Sequence, residues 1–251
     1  MGLKRKPFQG VGNIIRFNWH FFVLDGIILI ILASVAHTFS EPVKIWLYIL
    51  IGVSIVSSSI SLLVSYYVYD VSELYRFEWF PKAETPQILN INAGFDETSE
   101  LIQERYPKGQ LTIADFYDPQ KHTEVSVKRA RKAYPPHEGT ISVSTTELPF
   151  QNHRFDFVFA ILSAHEIRDE KERIQFFSEL KRVCQPGGQI YVTEHLRDLN
   201  NLLAYTVGAF HFHSRSSWLR VFSEARLILK QEKKITPFIR IFILESDGNT
   251  F

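Results

Sequence analysis

From Ile45 to Tyr69 the chain reads IWLYILIGVSIVSSSISLLVSYYVY, without one Asp, Glu, Lys or Arg. As an α-helix this run reaches about 37 Å, more than the roughly 30 Å of hydrocarbon in a bilayer, so it can cross a membrane with tilt. A second apolar stretch precedes it. Between Phe17 and Phe39 the only formal charge is Asp25, and Gly26–Ala36 is almost purely aliphatic or small. The link Ser40-Glu41-Pro42 is short and holds a helix-stopping proline, which suits an antiparallel hairpin with both ends on one side. Lys4, Arg5, Lys6 and Arg16 precede the first span, whereas the turn carries Lys44 alone; the positive-inside rule therefore places both ends in the cytoplasm. A secretory signal peptide fits poorly, because the apolar region starts late and a longer one follows. The expectation is an integral membrane protein with two transmembrane helices forming a hairpin over about 17–69, within an N-terminal segment 1–69, and with everything after it facing the cytoplasm.

Ser54, Ser58, Ser61 and Ser65 recur at helical spacing on one face of the second span, where small residues let helices approach closely. A lipid-soluble substrate is the alternative user of that stripe. Asp25 is costly inside a span, where such residues are often functional; the structural alternatives are snorkelling to the interface or a serine partner. Residues 70–86 (DVSELYRFEWFPKAETP) mix charges, aromatics and two prolines, and read as an amphipathic connector at headgroup level, with Tyr75, Phe77, Trp79 and Phe80 as interfacial anchors.

Residues 87–251 have a different texture. Short β-rich runs at Ile88–Ile91, Leu111–Asp115, Thr140–Val143, Phe155–Leu162 and Gln189–Thr193 alternate with helical patterns at Thr98–Tyr106, Val125–Tyr134 and Lys171–Cys184. This order predicts an α/β fold, a doubly wound parallel sheet with helices on both faces and ligands beyond the carboxyl ends of its strands. The last two runs, Leu227–Ile235 and Phe238–Ser246, are separated only by Thr236-Pro237, which permits a C-terminal antiparallel strand pair. With 45% hydrophobic and 22% charged residues the chain can bury a core. Its formal charge of +1 gives no electrostatic case for nucleic acid, and the lone Cys184 excludes an intrachain disulfide and a Cys-rich zinc site. The basic run Lys128–Lys132 reads as a solvated helix face or a contact for anionic headgroups.

The segments ELPFQNHRFDFVF (Glu147–Phe159) and ELKRVCQPGGQIYVTE (Glu179–Glu194), in that order and about thirty residues apart, resemble the class I S-adenosylmethionine-dependent methyltransferase superfamily, in its small-molecule, lipid and quinone branch. The resemblance covers about residues 86–246 and implies a Rossmann-like sheet with S-adenosylmethionine as cofactor. Asn90-Ile91-Asn92-Ala93-Gly94 matches the family's glycine loop but departs from it: Asn90 stands at the acidic position, and Gly94 alone of the glycines is kept. The resemblance assigns Asn90 and Gly94 to the methionine portion of the cofactor, with Asn92 of the same loop also cofactor-binding, Asp115 to the ribose hydroxyls, Phe116 to the adenine face, and Ser144 with Thr145 to the adenine edge, where relatives often carry an acid.

Histidines and carboxylates collect where an acceptor belongs. His165-Glu166 follows the fourth strand, Glu194-His195 the fifth, and His211 and His213 lie further on. Methyl transfer to a hydroxyl or thiol needs that proton removed, and histidine titrates near working pH with an adjacent carboxylate to fix its tautomer. His165 or His195 is the expected base, His165 favoured, with Glu166 or Glu194 orienting it. His165, Glu194, His195 and His211 are metal-ligand types, but they lack a compact motif, so no metal site is expected. The expected activity is methyl transfer to a lipophilic or amphipathic acceptor at the membrane. The rival is a cofactor-free scaffold that recruits a membrane partner, and oligomeric state and acceptor atom stay open.

Overall fold

The computed structural model describes residues 5–246; Lys4, counted above among the N-terminal cations, and residues 247–251 at the end of the C-terminal region lie outside them. Two long helices lead, α1 (Gln9–Ala36) and α2 (Glu41–Tyr66), followed by a π-helical turn over Tyr67–Val71. Both are long and apolar enough to cross a membrane by length and composition. Asp25 has serine partners: Ser54 Oγ donates to its carboxylate at 2.9 Å and Ser58 Oγ at 3.4 Å.

α1 begins at Gln9, about two turns before the apolar stretch that opens at Phe17. Its first turns belong to the domain. Asn13 donates to Glu97 (3.1 Å) and Tyr134 (3.0 Å), and Phe17 packs edge-on against Phe95 and Tyr134. The Asp70 carboxylate accepts from the backbone N–H of Gly10 (2.7 Å) and Val11 (2.8 Å), satisfying donors that a helix start leaves unpaired. A Cβ on Gly10 would stand 2.3 Å from Tyr69 Cβ, so this crossing of α1 with the end of α2 admits only glycine.

The sheet holds β1 (Gln87–Asn92), β2 (Gln110–Asp115), β3 (Ile141–Ser142), β4 (Phe155–Ile161), β5 (Cys184–His195), β6 (Leu227–Lys234) and β7 (Ile239–Ser246), in the order β3-β2-β1-β4-β5-β7-β6. The first five run parallel, and β7 is antiparallel to both β5 and β6. This is the expected doubly wound α/β sheet with its C-terminal antiparallel pair. Period-2 alternation covers both faces. Leu89, Val158, Val192 and Phe242 meet α5 (Glu170–Val183) and α7 (Arg215–Glu224) through Phe176, Phe177, Trp218 and Phe222. Ile88, Phe159, Tyr191 and Ile241 face the other way.

The connector covers that second face, which corrects the reading of its aromatics as interfacial anchors. Phe77 and Phe80 are buried; Phe80 stacks on Phe159 with centroids 4.2 Å apart and on Phe77 at 4.3 Å, while Tyr106 from the end of α3 (Ser99–Arg105) closes the layer. Burying one such ring is worth about 1.5–3 kcal/mol, which favours the sheet over a wet interface. Leu74, Phe77 and Phe80 of this segment therefore belong to the core. The basic run divides: on α4 (Val125–Ala133), Lys128 and Lys132 are exposed, whereas Arg129 donates to Phe17 O (2.7 Å) and Arg131 pairs with Asp115.

Candidate active site

Two cavities open beyond the carboxyl ends of the parallel strands. One, of about 250 Å³, lies past β1, β4 and β5 and is walled by Phe95, His165, Glu166, His195 and Phe212, with Phe17 of α1 and Tyr69 of the π-turn closing it from the hairpin side. The other, of about 780 Å³, lies past β2, β3 and β4 and is walled by Phe116, Tyr117, Ser144, Thr145, Glu166 and Glu172. Glu166 borders both.

At the junction, the Asp115 carboxylate is buried at the end of β2, accepts from Tyr117 N (2.8 Å) and is ion-paired with Arg131. Gly94 has φ +91°, and an added Cβ would stand 2.8 Å from the Tyr117 ring, so glycine is required twice over. Asn92 Oδ1 accepts from Gly94 N (3.1 Å) and shapes that turn. A buried carboxylate at a strand end and a loop only glycine can make fit the needs of S-adenosylmethionine, and their chain neighbours Ala93 and Phe116 line the first and second cavities. In this conformation Tyr117 covers the loop and Arg131 holds the carboxylate.

Of the residues assigned to the cofactor, Phe116, Ser144 and Thr145 border the second cavity, whereas Asn90 lines neither. Asn90 is buried and spends its amide on Thr98 Oγ1 (2.9 Å) and Ser99 Oγ (2.8 Å), tying β1 to the first turn of α3 in place of the family's acid. Phe116 turns its ring into the core against Phe176, with centroids 5.4 Å apart. Thr145 donates to Glu172, whereas Ser144 is exposed and bonds Thr146.

The register Ile161↔Thr193 brings the ends of β4 and β5 side by side and gathers His165, Glu166, Glu194 and His195 as expected. Their electrostatics differ from expectation. His165 Nδ1 is 2.7 Å from Oε2 of the fully buried Glu194, and Nε2 is 3.4 Å from Glu166 Oε1. Burial works against the charge, but the Glu194 carboxylate and the bonds to both acids outweigh it and push His165 up to about 10. For Glu166, burial is overcome by His165 and His211, which hold it well below the usual carboxylate range. With both nitrogens against carboxylates, His165, the base expected above, keeps its proton in this arrangement.

His195 is the opposite case. Asn201 donates through Nδ2 to Phe238 O (3.0 Å) and Asp198 Oδ1 (3.2 Å), so its Oδ1 is left to accept from His195 Nδ1 (2.9 Å). Nδ1 then carries the hydrogen, and Nε2 accepts from the Tyr69 hydroxyl at 2.8 Å. Burial, resisted by the Asn201 bond, pushes His195 down to about 4. It is a neutral imidazole with an oriented lone pair on the cavity wall.

His211 lies near Glu124 (3.3 Å) and Glu166 (3.6 Å), and these bonds raise it. His213 is apart: it meets Arg173 (3.1 Å) and the edge of Trp218, and burial together with Arg173 pushes it down to about 3. Sequence reasoning missed Tyr69, Tyr117, Arg131, Glu124 and Asn201. Tyr69 and His195 are far apart in the chain, and no spacing rule joins them.

Residues 89–192 match the family model described as a methyltransferase domain. The chain carries a methyltransferase domain. Its fold is shared with a SAM-dependent methyltransferase from Aquifex aeolicus (13% identity, 75% of this chain and 97% of that one, TM-score 0.52) and with a protein of Pyrococcus horikoshii (15% identity, 69% and 86%, TM-score 0.50). The pyocyanin biosynthetic protein PhzM also aligns (9% identity, 74% and 57%, TM-score 0.52). No curated protein matches. The methyl donor of such a domain is S-adenosylmethionine.

Proposed function

We propose that the protein is a membrane-anchored methyltransferase that takes a lipophilic acceptor from the bilayer. One observation carries this reading. After β5 the chain forms α6 (Leu199–Tyr205) and a 3-10 helix over Thr206–His211, and there Leu199, Leu203, Val207 and Phe210 stand 61–79% exposed. Leu203 shares a groove with Val53, Val56 and Ile60 of α2, so the exposed ridge continues the apolar surface of the hairpin. Phe212, the next residue after the 3-10 helix, lines the first cavity. Apolar surface of this extent on a soluble face marks an interaction site. A ridge joined to a span at one end and to a reaction cavity at the other fits a route for a membrane-dissolved molecule. Anchoring adds effective concentration for acceptors held in the same surface.

The sulfonium of the donor supplies an activated methyl group, and the protein's part is to orient and deprotonate. Asp115, released from Arg131, is placed to take the ribose hydroxyls. For a hydroxyl or thiol acceptor, His195 Nε2 takes the proton, directly or through Tyr69, and Asn201 holds the emerging imidazolium by its other nitrogen.

The test uses full-length protein in lipid nanodiscs with a radiolabelled methyl donor and membrane lipid extracts. Label should enter the organic phase, and replacing Leu203, Val207 and Phe210 together with Asp should cut that transfer at least tenfold while donor affinity by calorimetry holds. Label confined to water-soluble acceptors would overturn the lipophilic reading. Calorimetry without heat from either S-adenosylmethionine or its demethylated product, on folded protein, would favour the scaffold. Protease should remove the domain from inside-out vesicles and spare it in right-side-out ones; the reverse would overturn the cytoplasmic topology.

A further inference from the structure

We propose that His165, Glu166 and His211 form a binding site for a divalent transition-metal ion at the edge of the first cavity. One ligand atom from each lies within 4.8 Å of the other two. His165 Nε2 is 3.4 Å and His211 Nε2 3.6 Å from the same oxygen, Glu166 Oε1. For metal–ligand bonds of about 2.1 Å, tetrahedral and octahedral geometry put neighbouring ligands roughly 3.0–3.4 Å apart. The two histidine–Glu166 separations need a closure of only a few tenths of an ångström, the two histidines draw together from within 4.8 Å, and the ion takes the place of the proton on His165 Nε2.

The surroundings carry the proposal beyond a chance cluster. A ligating histidine characteristically donates its second nitrogen to a carboxylate, which fixes the tautomer and raises ligand basicity. Both histidines do so here: His165 Nδ1 reaches Glu194 at 2.7 Å, and His211 Nδ1 reaches Glu124 at 3.3 Å. Glu194 is fully buried and also accepts from the backbone N–H of His165 (3.2 Å), so the ring cannot turn without stranding a buried charge. The two ligand-bearing segments, from the ends of β4 and of the 3-10 helix, are fastened to each other by Arg168, which donates to the carbonyls of His165 (3.1 Å) and His211 (2.6 Å). Two imidazoles and one carboxylate select Zn²⁺, Mn²⁺ or Fe²⁺ over Mg²⁺ and Ca²⁺, which prefer all-oxygen shells.

Three protein ligands leave coordination positions open. Since His165 and Glu166 wall the cavity, those positions face the acceptor, and the ion would take an acceptor oxygen or sulfur; that role rests on the methyltransferase reading, whereas ion binding does not. The sequence placed Glu194 and His195 among possible ligands. The structure instead gives Glu194 a supporting place and turns His195 to Tyr69 and Asn201.

The test takes full-length protein, stripped with a chelator and returned to detergent, and titrates it with Zn²⁺ by calorimetry and with Co²⁺ by visible absorption. One equivalent should bind, with Co²⁺ bands of a nitrogen–oxygen site. His211→Ala and Glu166→Gln should each weaken Zn²⁺ at least 100-fold, and Glu194→Gln about 10–100-fold as a supporting carboxylate. His137→Ala, at a histidine elsewhere near Asp96 and Glu100, should change nothing. Absence of a one-equivalent site in folded protein, or tight binding that survives both His211→Ala and Glu166→Gln, would overturn the proposal. Donor calorimetry on the same stripped sample separates this failure from failure of the methyltransferase reading.

Discussion

His165 follows β4 and His195 ends β5, the neighbouring strand, and both are set within the same cavity wall. One is held charged between Glu194 and Glu166, the other neutral between Tyr69 and Asn201. Burial disfavours the charge on both, so burial is not what separates them. The partners are: carboxylates compensate an imidazolium, whereas a hydroxyl and an amide oxygen satisfy a neutral ring and leave it a lone pair. Two histidines of similar position are thus held in opposite charge states by their partners.

The largest effect that can break this division is on turnover. His195→Ala should lower transfer to a hydroxyl or thiol acceptor by roughly 10²–10⁴-fold, the usual worth of a positioned base, with donor affinity unchanged by calorimetry. Near-normal turnover would dissolve the contrast and leave proximity alone to drive the reaction.

Next comes the acid limb of stability. His195 lies at about 4 folded against an ordinary 6.5. Between those values the unfolded chain binds a proton that the folded one does not, so stability is full above pH 6.5 and declines as pH falls toward 4. The loss is roughly 3 kcal/mol at most by linkage. His213, pushed down to about 3, acts in the same direction, so the diagnostic measurement is a difference: denaturant unfolding at pH 4.5 and 7 should show a smaller pH effect in His195→Gln than in the wild type. An equal effect would mean His195 ionises normally.

The smallest effect sharpens the role of the tyrosine. Tyr69→Phe removes the donor to His195 Nε2 and should reduce turnover about tenfold, on the scale of one hydrogen bond of about 1–1.5 kcal/mol. A loss as large as that of His195→Ala would make Tyr69 an obligatory proton carrier.

Much of this was legible in the chain. The β-rich runs alternating with helical patterns gave the strands and the doubly wound class, and Asp115 stood at the end of its strand. Phe77 and Phe80 were not legible as core, because an aromatic cluster beside a span suits a membrane interface and a sheet face equally by composition. α6 and α7 went unread although Asp198 and Ser214 cap them, each accepting from the backbone N–H three residues on. The polar stripe of Gln9 and Asn13 hid the start of α1, since hydropathy counts residues and not the face they point to. The degenerate loop misled in another way: Asn90 stands in the motif position, but its amide serves Thr98 and Ser99. Charge states were the least readable, because Tyr69–His195 and His165–Glu194 exist only once distant segments meet.

The clasp of Asp70 on the backbone of Gly10 and Val11 fixes more than a helix end. A domain hung on a loose string would sweep a hemisphere of solution; on the membrane anchor proposed above, one whose stalk is pinned at its root keeps a constant height and scans a plane. Encounters in a plane are governed by how many acceptors occupy each unit of membrane, not by how many are in the tube. Adding inert lipid at fixed amounts of protein and acceptor should therefore slow the reaction, and loosening the root with Asp70→Ala should weaken that surface dilution.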